Sequence, residues 1–173
     1  MKKIGLFYGP EGGSTEKVAK KIAEAIGGTQ VDLISVKEQK AADLAAYDNL
    51  IFGISTIGKE TWKSDESPND WDVFMPELEK ANLDGKVVAM FGLGDHLKYA
   101  LHFVDAMGIL AEKLKDKNVT IVGQCDTDDY QFEESQAIID GKFIGLPVDE
   151  DYEADKTDER VNSWVAAITK EFK

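Results

Sequence analysis

A segment near the start of the chain sets the architecture: Ile4-Gly5-Leu6-Phe7-Tyr8-Gly9-Pro10-Glu11-Gly12-Gly13-Ser14-Thr15. The run from Lys3 to Tyr8 is short and mostly apolar, which is typical of a buried strand. A glycine-rich turn follows, and beyond it Val18, Ile22 and Ile26 recur at four-residue spacing, as one face of a helix requires. The segment therefore predicts a strand, a tight turn and a helix in succession.

The same alternation continues along the chain. Four further apolar runs end in turn residues: Val31 to Ser35, Asn49 to Ile54, Lys86 to Gly92 and Val119 to Val122. Helical spacing recurs at Phe103, Met107, Leu110 and Leu114, and again at Val161, Trp164, Val165, Ile168 and Phe172. Strands that alternate with helices need right-handed crossovers and hence a parallel sheet covered on both faces. We therefore predict one doubly wound α/β domain over residues 1–173.

Composition narrows the possible functions. The 173 residues suit one domain, and 20 Lys plus Arg against 33 Asp plus Glu give a net charge of −13. Such a surface repels phosphate backbones and anionic lipids, so we expect neither nucleic-acid nor membrane binding. No apolar run approaches the roughly 20 residues of a bilayer span. The single cysteine, Cys125, fits a reducing compartment, and we expect a cytoplasmic protein in which this thiol is a small, partly buried residue.

Three loops follow the predicted strands at the edge where ligands of open parallel sheets bind: Gly9 to Thr15, Ser55 to Asn69 and Gly92 to Tyr99. In the first loop, Gly12 and Gly13 let backbone amides approach a ligand, and the helix start favours an anion. The loop matches neither the Walker nor the GxGxxG pattern. The alternative is a simple turn in which Ser14 or Thr15 caps the helix.

The third loop pairs a carboxylate with an aromatic ring. Asp95 precedes Tyr99 by four residues in a glycine-rich turn. A flat heterocycle could stack on Tyr99 while Asp95 or nearby backbone groups bind its edge. The alternative is that Tyr99 is a half-buried residue that caps the sheet and Asp95 is a turn former.

Together these segments resemble the long-chain flavodoxins, which are FMN-binding one-electron carriers. The resemblance runs nearly end to end. It rests on Ile4-Gly5-Leu6-Phe7-Tyr8-Gly9, Thr15-Glu16-Lys17-Val18-Ala19, Asp70-Trp71-Asp72-Val73-Phe74, Pro76-Glu77-Leu78-Glu79, Phe91-Gly92-Leu93-Gly94-Asp95, Tyr99, Asp105-Ala106-Met107-Gly108-Ile109-Leu110 and the tail from Gly141 to Asp151.

The resemblance implies a flavodoxin-like three-layer α/β/α fold with a five-stranded parallel sheet in the order 2-1-3-4-5. Its last strand is expected to be split by an insertion of roughly Gly123 to Gly141 and to resume over Lys142 to Leu146. It also implies a low-potential electron carrier, not an enzyme, that shuttles FMN between semiquinone and hydroquinone. Expected partners have basic docking faces: a flavin-dependent NADPH reductase, pyruvate oxidoreductase or nitrogenase-type enzymes. The carrier is expected to be a monomer.

The resemblance also implies which residues bind FMN. The phosphate loop would be Pro10, Glu11, Gly12, Gly13, Ser14 and Thr15, and Ser55 and Thr56 would line the ribityl end. Tyr99 would stack on the outer face of the ring, Asp95 would meet its pyrimidine edge, and the backbone of Gly92, Leu93 and Gly94 would pass beside it. Either Ile57 or Trp62 would cover the inner face, and Gly58 is the candidate for a peptide that flips toward N5.

The phosphate loop departs from the family pattern Ser/Thr-x-Thr-Gly-x-Thr. Two hydroxyl groups are missing, and Pro10 has no N–H to donate. Each lost bond to a charged phosphate costs about 1.5–3 kcal/mol. Three outcomes stay open: weaker FMN binding, preference for a flavin without the phosphate such as riboflavin, or phosphate held by amides and Thr15, which we favour.

Two other functions are consistent with the sequence. A flavin-dependent NAD(P)H or quinone oxidoreductase could use the enlarged loop after Thr56 as a lid, although no nicotinamide-binding fingerprint is present. A flavodoxin-like module with weakened or altered flavin binding is the other alternative. His96 and His102 are too few for a metal site, and we expect both at the surface or on a helix. Lys98 would place a cation near the flavin, and residues 149–155 are expected to form a solvated turn.

Overall fold

The computed structural model describes residues 1–55 and 68–173. Its central sheet is parallel, has the order β2-β1-β3-β4-β5, and carries β8 beside β4 as well. The strands are β1 Ile4–Gly9, β2 Val31–Ser35, β3 Asn49–Ile54, β4 Val87–Leu93, β5 Thr120–Val122 and β8 Leu146–Val148. This confirms the predicted doubly wound α/β fold and its strand order.

The edge strand is split, as predicted. The first half of β4, Val87 to Ala89, pairs with β5, and its second half, Phe91 to Leu93, pairs with β8. Two short strands, β6 Ile138–Ile139 and β7 Lys142–Phe143, form a separate antiparallel hairpin within residues 123–145.

The predicted restart of the edge strand at Lys142 is wrong, because the strand resumes only at Leu146. Phe143 has no backbone group left for β4: its N–H donates to the carbonyl of Cys125 at 2.9 Å, and its carbonyl accepts from the N–H of Cys125 at 3.0 Å. The Phe143 ring packs against Tyr130 and Phe132, with centroids 5.3 and 5.1 Å away. The backbone pairing with Cys125 therefore keeps Phe143 out of the central sheet, while its ring joins an aromatic cluster within the core that also contains α2 and α3.

Helices cover both faces of the sheet. They are α1 Ser14–Ile26, α2 Asp70–Lys80, α3 Asp105–Leu114 and α4 Thr157–Ile168, with short 3-10 turns at Gly28–Gln30, Ala41–Ala46 and Ala154–Lys156. One buried cluster contains the apolar faces of α1 and α4, and the other contains those of α2 and α3. Both clusters share the sheet, as the two-layer covering of a parallel sheet requires.

Two helix ends differ from the periodic pattern. Phe103 is fully buried, but α3 begins two residues later, since Val104 adopts the left-handed conformation with φ of 49°. Phe172 is buried beyond the end of α4 at Ile168. The periodic pattern therefore predicts the apolar face of both helices correctly, whereas the helix bounds exclude Phe103 and Phe172. Within residues 1–55 and 68–173, no helix is long and apolar enough to cross a membrane.

Candidate functional site

The strand register brings the ends of three strands side by side. Gly9 of β1 pairs with Ile54 of β3, and Ile54 pairs with Gly92 of β4. The chain leaves β1 toward one edge of the sheet and β3 toward the other, so a cleft opens between these two strands at their carboxyl ends. The three loops predicted from the sequence therefore start next to one another.

The first loop ends in a helix start that carries no side-chain cap. Gly13 is the N-cap residue of α1, and no side chain donates to or accepts from the cap position. The alternative in which Ser14 or Thr15 caps the helix is therefore wrong. Because an α-helix leaves its first N–H groups without partners in the helix, this turn offers donors to an anion. Gly12, with φ of 76°, adopts the left-handed conformation that favours glycine.

An anionic group already lies on this turn. The N–H of Gly12 donates to Oε2 of Glu16 at 2.6 Å, and the other oxygen of Glu16 lies 2.6 Å from Nζ of Lys20. The bond with Lys20, and after it the bond from Gly12, holds the pKa of Glu16 below its usual range. The loop therefore binds a carboxylate of its own chain, as expected for an anion-binding turn. Pro10, Glu11 and Ser14 are exposed around it, whereas Thr15 is buried.

The third loop is organised by Asp95. Its Oδ1 accepts from the backbone N–H of Leu97 at 3.0 Å and of Lys98 at 2.7 Å, and its carbonyl accepts from the N–H of Tyr99 at 3.1 Å. Asp95 is thus a turn former, as the alternative interpretation held, and its second carboxylate oxygen plays no part in these bonds. The turn is joined to the sheet where the N–H of Gly94 donates to the carbonyl of Val148 at 3.0 Å.

The turn leaves the ring of Tyr99 accessible. Tyr99 is 39% exposed, a value that fits both a half-buried residue that caps the sheet and a ring with one free face. Nζ of Lys98 lies 5.4 Å from the centroid of this ring, at cation–π distance. The ring therefore has free area for a flat ligand and a positive charge beside it.

His96 is buried, so its predicted surface position is wrong. Its side chain packs inside the turn, and the residue is 6% exposed. The ring Nδ1–H donates to Oδ2 of Asp149, and the backbone N–H of His96 donates to the same oxygen at 3.1 Å. His102 does lie at the surface, where its ring is 3.1 Å from Asp105.

Asp149 is also buried, although residues 149–155 were predicted to be a solvated turn. Its Oδ1 accepts from the backbone N–H groups of Asp151 and Tyr152, each at 2.9 Å. Burial by itself raises the pKa of Asp149, but hydrogen bonds from the backbone of Tyr152 and His96, from the His96 ring and from Asp151 outweigh it and lower the pKa. Neighbouring Asp151 has a raised pKa because of burial and of the charges on Asp95 and Asp149.

The lowered pKa predicts how stability depends on pH. A carboxyl group whose pKa is lower in the folded than in the unfolded chain stabilises the fold above its unfolded pKa, about 3.9, and loses that contribution as the pH falls. We expect Asp149→Asn to lower the free energy of unfolding at pH 7 by about 2–3 kcal/mol, since an amide cannot accept all four bonds. Urea denaturation at pH 7 and pH 3 should show this deficit shrinking at the lower pH. The matched variant Asp116→Asn, at an exposed position, should show no deficit at either pH; a deficit of Asp149→Asn that is the same at both pH values would contradict the prediction.

Four predicted site residues lie outside the described residues: Thr56, Ile57, Gly58 and Trp62. Ser55, the last described residue of the second loop, follows β3 directly. Which side chain faces the inner side of the cleft therefore stays a prediction.

Sequence reasoning missed Glu16 and Asp149 as parts of this site. The signal for Asp149 was its place in the tail from Gly141 to Asp151, directly after the second half of the split strand. Glu16 gave no signal, since a Glu in the first turn of a helix is common.

A second cleft lies away from these loops. It has a volume of about 510 Å³ between α4 and the insertion, and its lining includes Cys125, Tyr130, Arg160 and Trp164. Burial raises the pKa of the Cys125 thiol to about 12, so this partly buried cysteine is a poor nucleophile. Among the described residues, no group of three or more His, Cys, Asp or Glu is arranged to hold a metal ion.

A parallel sheet in the order β2-β1-β3-β4-β5, split at its edge and open at the β1–β3 switch point, defines the flavodoxin-like class of doubly wound α/β proteins. Comparisons with known proteins agree. The sequence model of the flavodoxin family matches residues 6–164. The chain belongs to the flavodoxin family.

Individual relatives match over nearly their whole length. The chain is 44% identical over 176 residues to flavodoxin 1 of Azotobacter vinelandii, covering 99% of this chain and 98% of that one. It is 44% identical over 171 residues to a flavodoxin of Nostoc sp., with the same coverage. The crystal structure of a Fusobacterium nucleatum flavodoxin bound to flavin mononucleotide superposes with a TM-score of 0.87 at 29% identity and covers 100% of both chains.

Proposed function

We propose that this chain, as a single domain over residues 1–173, transfers single electrons with non-covalently bound FMN. One observation carries the proposal: the register of Gly9, Ile54 and Gly92 brings the uncapped start of α1 and the turn of Tyr99 to the same edge of the sheet. Membership of the flavodoxin family supports it and does not favour an NAD(P)H or quinone oxidoreductase.

The residues present suit the two ends of FMN. At the phosphate end, the N–H of Gly12 donates to a carboxylate oxygen, and phosphate is likewise an anion that accepts hydrogen bonds. Backbone N–H groups of residues 11–15, with the Thr15 hydroxyl, would hold it. At the ring end, Tyr99 would stack on one face, the backbone of residues 92–95 would pass along the pyrimidine edge, and the loop from Ser55 would cover the other face. Bound FMN supplies the one-electron chemistry, and the protein sets its affinity and potentials.

Charge around the ring end favours a low second reduction potential. Burial, and next the negative charge of Asp95, raises the pKa of Asp151, and the whole chain carries a net charge of −13. A negative environment opposes further negative charge on the ring. Lys98, beside Tyr99, offsets part of this effect.

The surface around Tyr99 suits a protein partner. Leu97, Leu101 and Tyr152 are large, exposed apolar side chains on the turn and on the loop after β8. We propose that this face docks against basic surfaces of redox enzymes: a flavin-dependent NADPH reductase, pyruvate oxidoreductase or a nitrogenase-type acceptor. Attraction between opposite charges gives fast encounters that weaken with salt, which suits a shuttle. The proposed setting is the cytoplasm, and the proposed state is a monomer.

The test is a flavin titration followed by anaerobic reduction. We expect the purified chain to bind FMN and to take up electrons in two separate one-electron steps with the second at low potential. Preference for riboflavin would mean that the altered phosphate loop has changed the ligand. A folded protein that binds neither flavin would overturn the proposed function, and direct oxidation of NAD(P)H would favour the enzyme.

Glu16 should compete with the FMN phosphate for the Gly12 amide. Replacing it by Glu16→Gln keeps an acceptor for that N–H and removes the negative charge. We therefore expect FMN to bind about three- to tenfold more tightly to the variant, whereas riboflavin should bind as before. Fluorescence titration with both flavins measures this difference.

The matched control is Glu24→Gln, which makes the same change at an exposed position two turns along α1. It should leave both affinities unchanged. An unchanged or weaker affinity of Glu16→Gln for FMN would show that the carboxylate does not compete with phosphate.

A further inference from the structure

A buried pair connects the turn of Tyr99 to the loop after β8. Asp149 accepts on one oxygen from the ring and the backbone of His96, and on the other from the N–H groups of Asp151 and Tyr152. Both partners are withdrawn from solvent. Four donors from two separate loops therefore meet at one carboxylate.

The pair acts at the ring end of the cleft. His96 follows Asp95, whose carboxylate organises the turn, and it precedes Tyr99 by three residues. Asp149 follows β8, which pairs with the second half of β4. The N–H of Gly94 donates to the carbonyl of Val148, the residue before Asp149, and so joins the same two segments. Three hydrogen bonds thus attach Gly94 and His96 of the turn to Val148 and Asp149.

Packing holds the imidazole in one orientation. Its ring lies edge-on to Phe103, with centroids 6.4 Å apart at 81°, and edge-on to Tyr152, 6.1 Å apart at 77°. Phe103 belongs to the aromatic core that includes Phe143 of the insertion. A ring enclosed in this way cannot rotate freely, so its Nδ1–H stays directed at Asp149.

We propose that His96 is a positioning residue for the isoalloxazine ring: through Asp149 it fixes the turn of residues 94–99, and with it Tyr99 and the backbone that borders the flavin. The proposal rests on the proposed function, since it concerns how that same site holds FMN. It assigns His96 to the ring end only. Loss of the contact should therefore affect every flavin alike, whether or not the flavin carries a phosphate.

The experiment compares three variants with the wild type. His96→Leu removes the donor and keeps an apolar side chain, and His96→Asn retains an N–H near the position of Nδ1. His102→Leu is the matched control, since it removes the exposed histidine. The dissociation constants of FMN and riboflavin and the second reduction potential of bound FMN are measured for each, with circular dichroism to establish that each variant is folded.

We expect His96→Leu to weaken the binding of FMN and of riboflavin by the same factor, about tenfold. The second reduction potential of bound FMN should shift toward that of free FMN. His96→Asn should restore both within about threefold, and His102→Leu should match the wild type. A variant that only loses stability would keep the wild-type potential of the bound flavin. A shifted potential that His96→Asn restores therefore indicates a positioning role.

Three results would overturn the proposal: wild-type affinity and potential in His96→Leu, a loss confined to FMN, or no recovery in His96→Asn. If His96→Leu does not fold, His96→Gln replaces it, because its amide lies nearer the position of Nε2 and should not restore binding as His96→Asn does. A wild type that binds neither flavin would overturn the proposed function itself, whereas a wild type that binds flavin while the variants do not differ from it would overturn this inference alone.

Discussion

Replacing Tyr99 with Ala is expected to weaken FMN binding by roughly ten- to a hundredfold, since stacking on an aromatic side chain contributes about 1–3 kcal/mol per ring. Tyr99 is the aromatic residue that the third loop presents at the carboxyl end of β4, and 39% of it is exposed. Riboflavin should lose the same factor, because the ring and not the phosphate is affected. Quenching of flavin fluorescence during titration of the flavin-free protein measures both constants.

Two variants control this experiment. Tyr99→Phe keeps the ring and should bind FMN within about threefold of the wild type. Leu101→Ala removes a nearby exposed apolar side chain and should leave the affinity unchanged. Wild-type affinity in Tyr99→Ala would show that the flavin ring is held by other residues, and the second loop with Ile57 and Trp62 would then be the place to examine.

Trp71→Ala is expected to lower the free energy of unfolding by about 3–5 kcal/mol, a large share of the stability of a domain this size. Trp71, in the first turn of α2, is 1% exposed, and its Nε1–H donates to the carbonyl of Gly53 at 2.9 Å. Its ring packs edge-on against Phe52 and Phe74, with centroids 5.9 and 5.6 Å away. Urea denaturation followed by circular dichroism measures the loss.

The same experiment has a graded series. Trp71→Phe removes the hydrogen bond and part of the volume, so it should lose less than Trp71→Ala and stay measurable if the alanine variant does not fold. Val73→Ala on the same helix, where Val73 is 57% exposed, should change stability by no more than about 0.5 kcal/mol. A loss below about 1.5 kcal/mol for Trp71→Ala would contradict the prediction.

Trp71 also connects stability to the site. It binds the carbonyl of Gly53, one residue before the end of β3, and a side chain at Gly9 would come within 3.4 Å of its ring. Both strands that flank the switch point are therefore packed on one indole. Trp71 variants should therefore also bind flavin more weakly, and the loss of affinity should be the same for FMN and riboflavin.

Much of the fold was predictable because its signals are local. Apolar runs and four-residue spacing marked five strand segments and three helices, and these features depend on neighbours within one or two turns. The loops that carry the candidate site were predictable for the same reason, since glycine-rich turns follow the strands directly. The strand order and the split edge strand came from the resemblance to the flavodoxins, and the structure confirms both.

Three of the errors have one physical cause in common. His96 and Asp149 look like surface residues in sequence, but they are buried and hydrogen-bonded to each other although 53 positions separate them in the chain. The restart of the edge strand is predicted too early, because the backbone N–H and carbonyl of Phe143 bond to Cys125 within the insertion. In each case a polar group found its partner far away, and no local pattern records that choice.

By itself, the sequence determined the alternation of strands and helices, the acidic surface and the glycine-rich and aromatic turns at the ends of the strands, because periodicity, charge and turn chemistry are properties of adjacent residues. Only the tertiary structure decided which turns meet, that Glu16 lies on the Gly12 amide, and that Asp149 holds the turn of His96 and Tyr99. Those contacts depend on strand register and on satisfying buried polar groups, which become defined only when distant segments pack together.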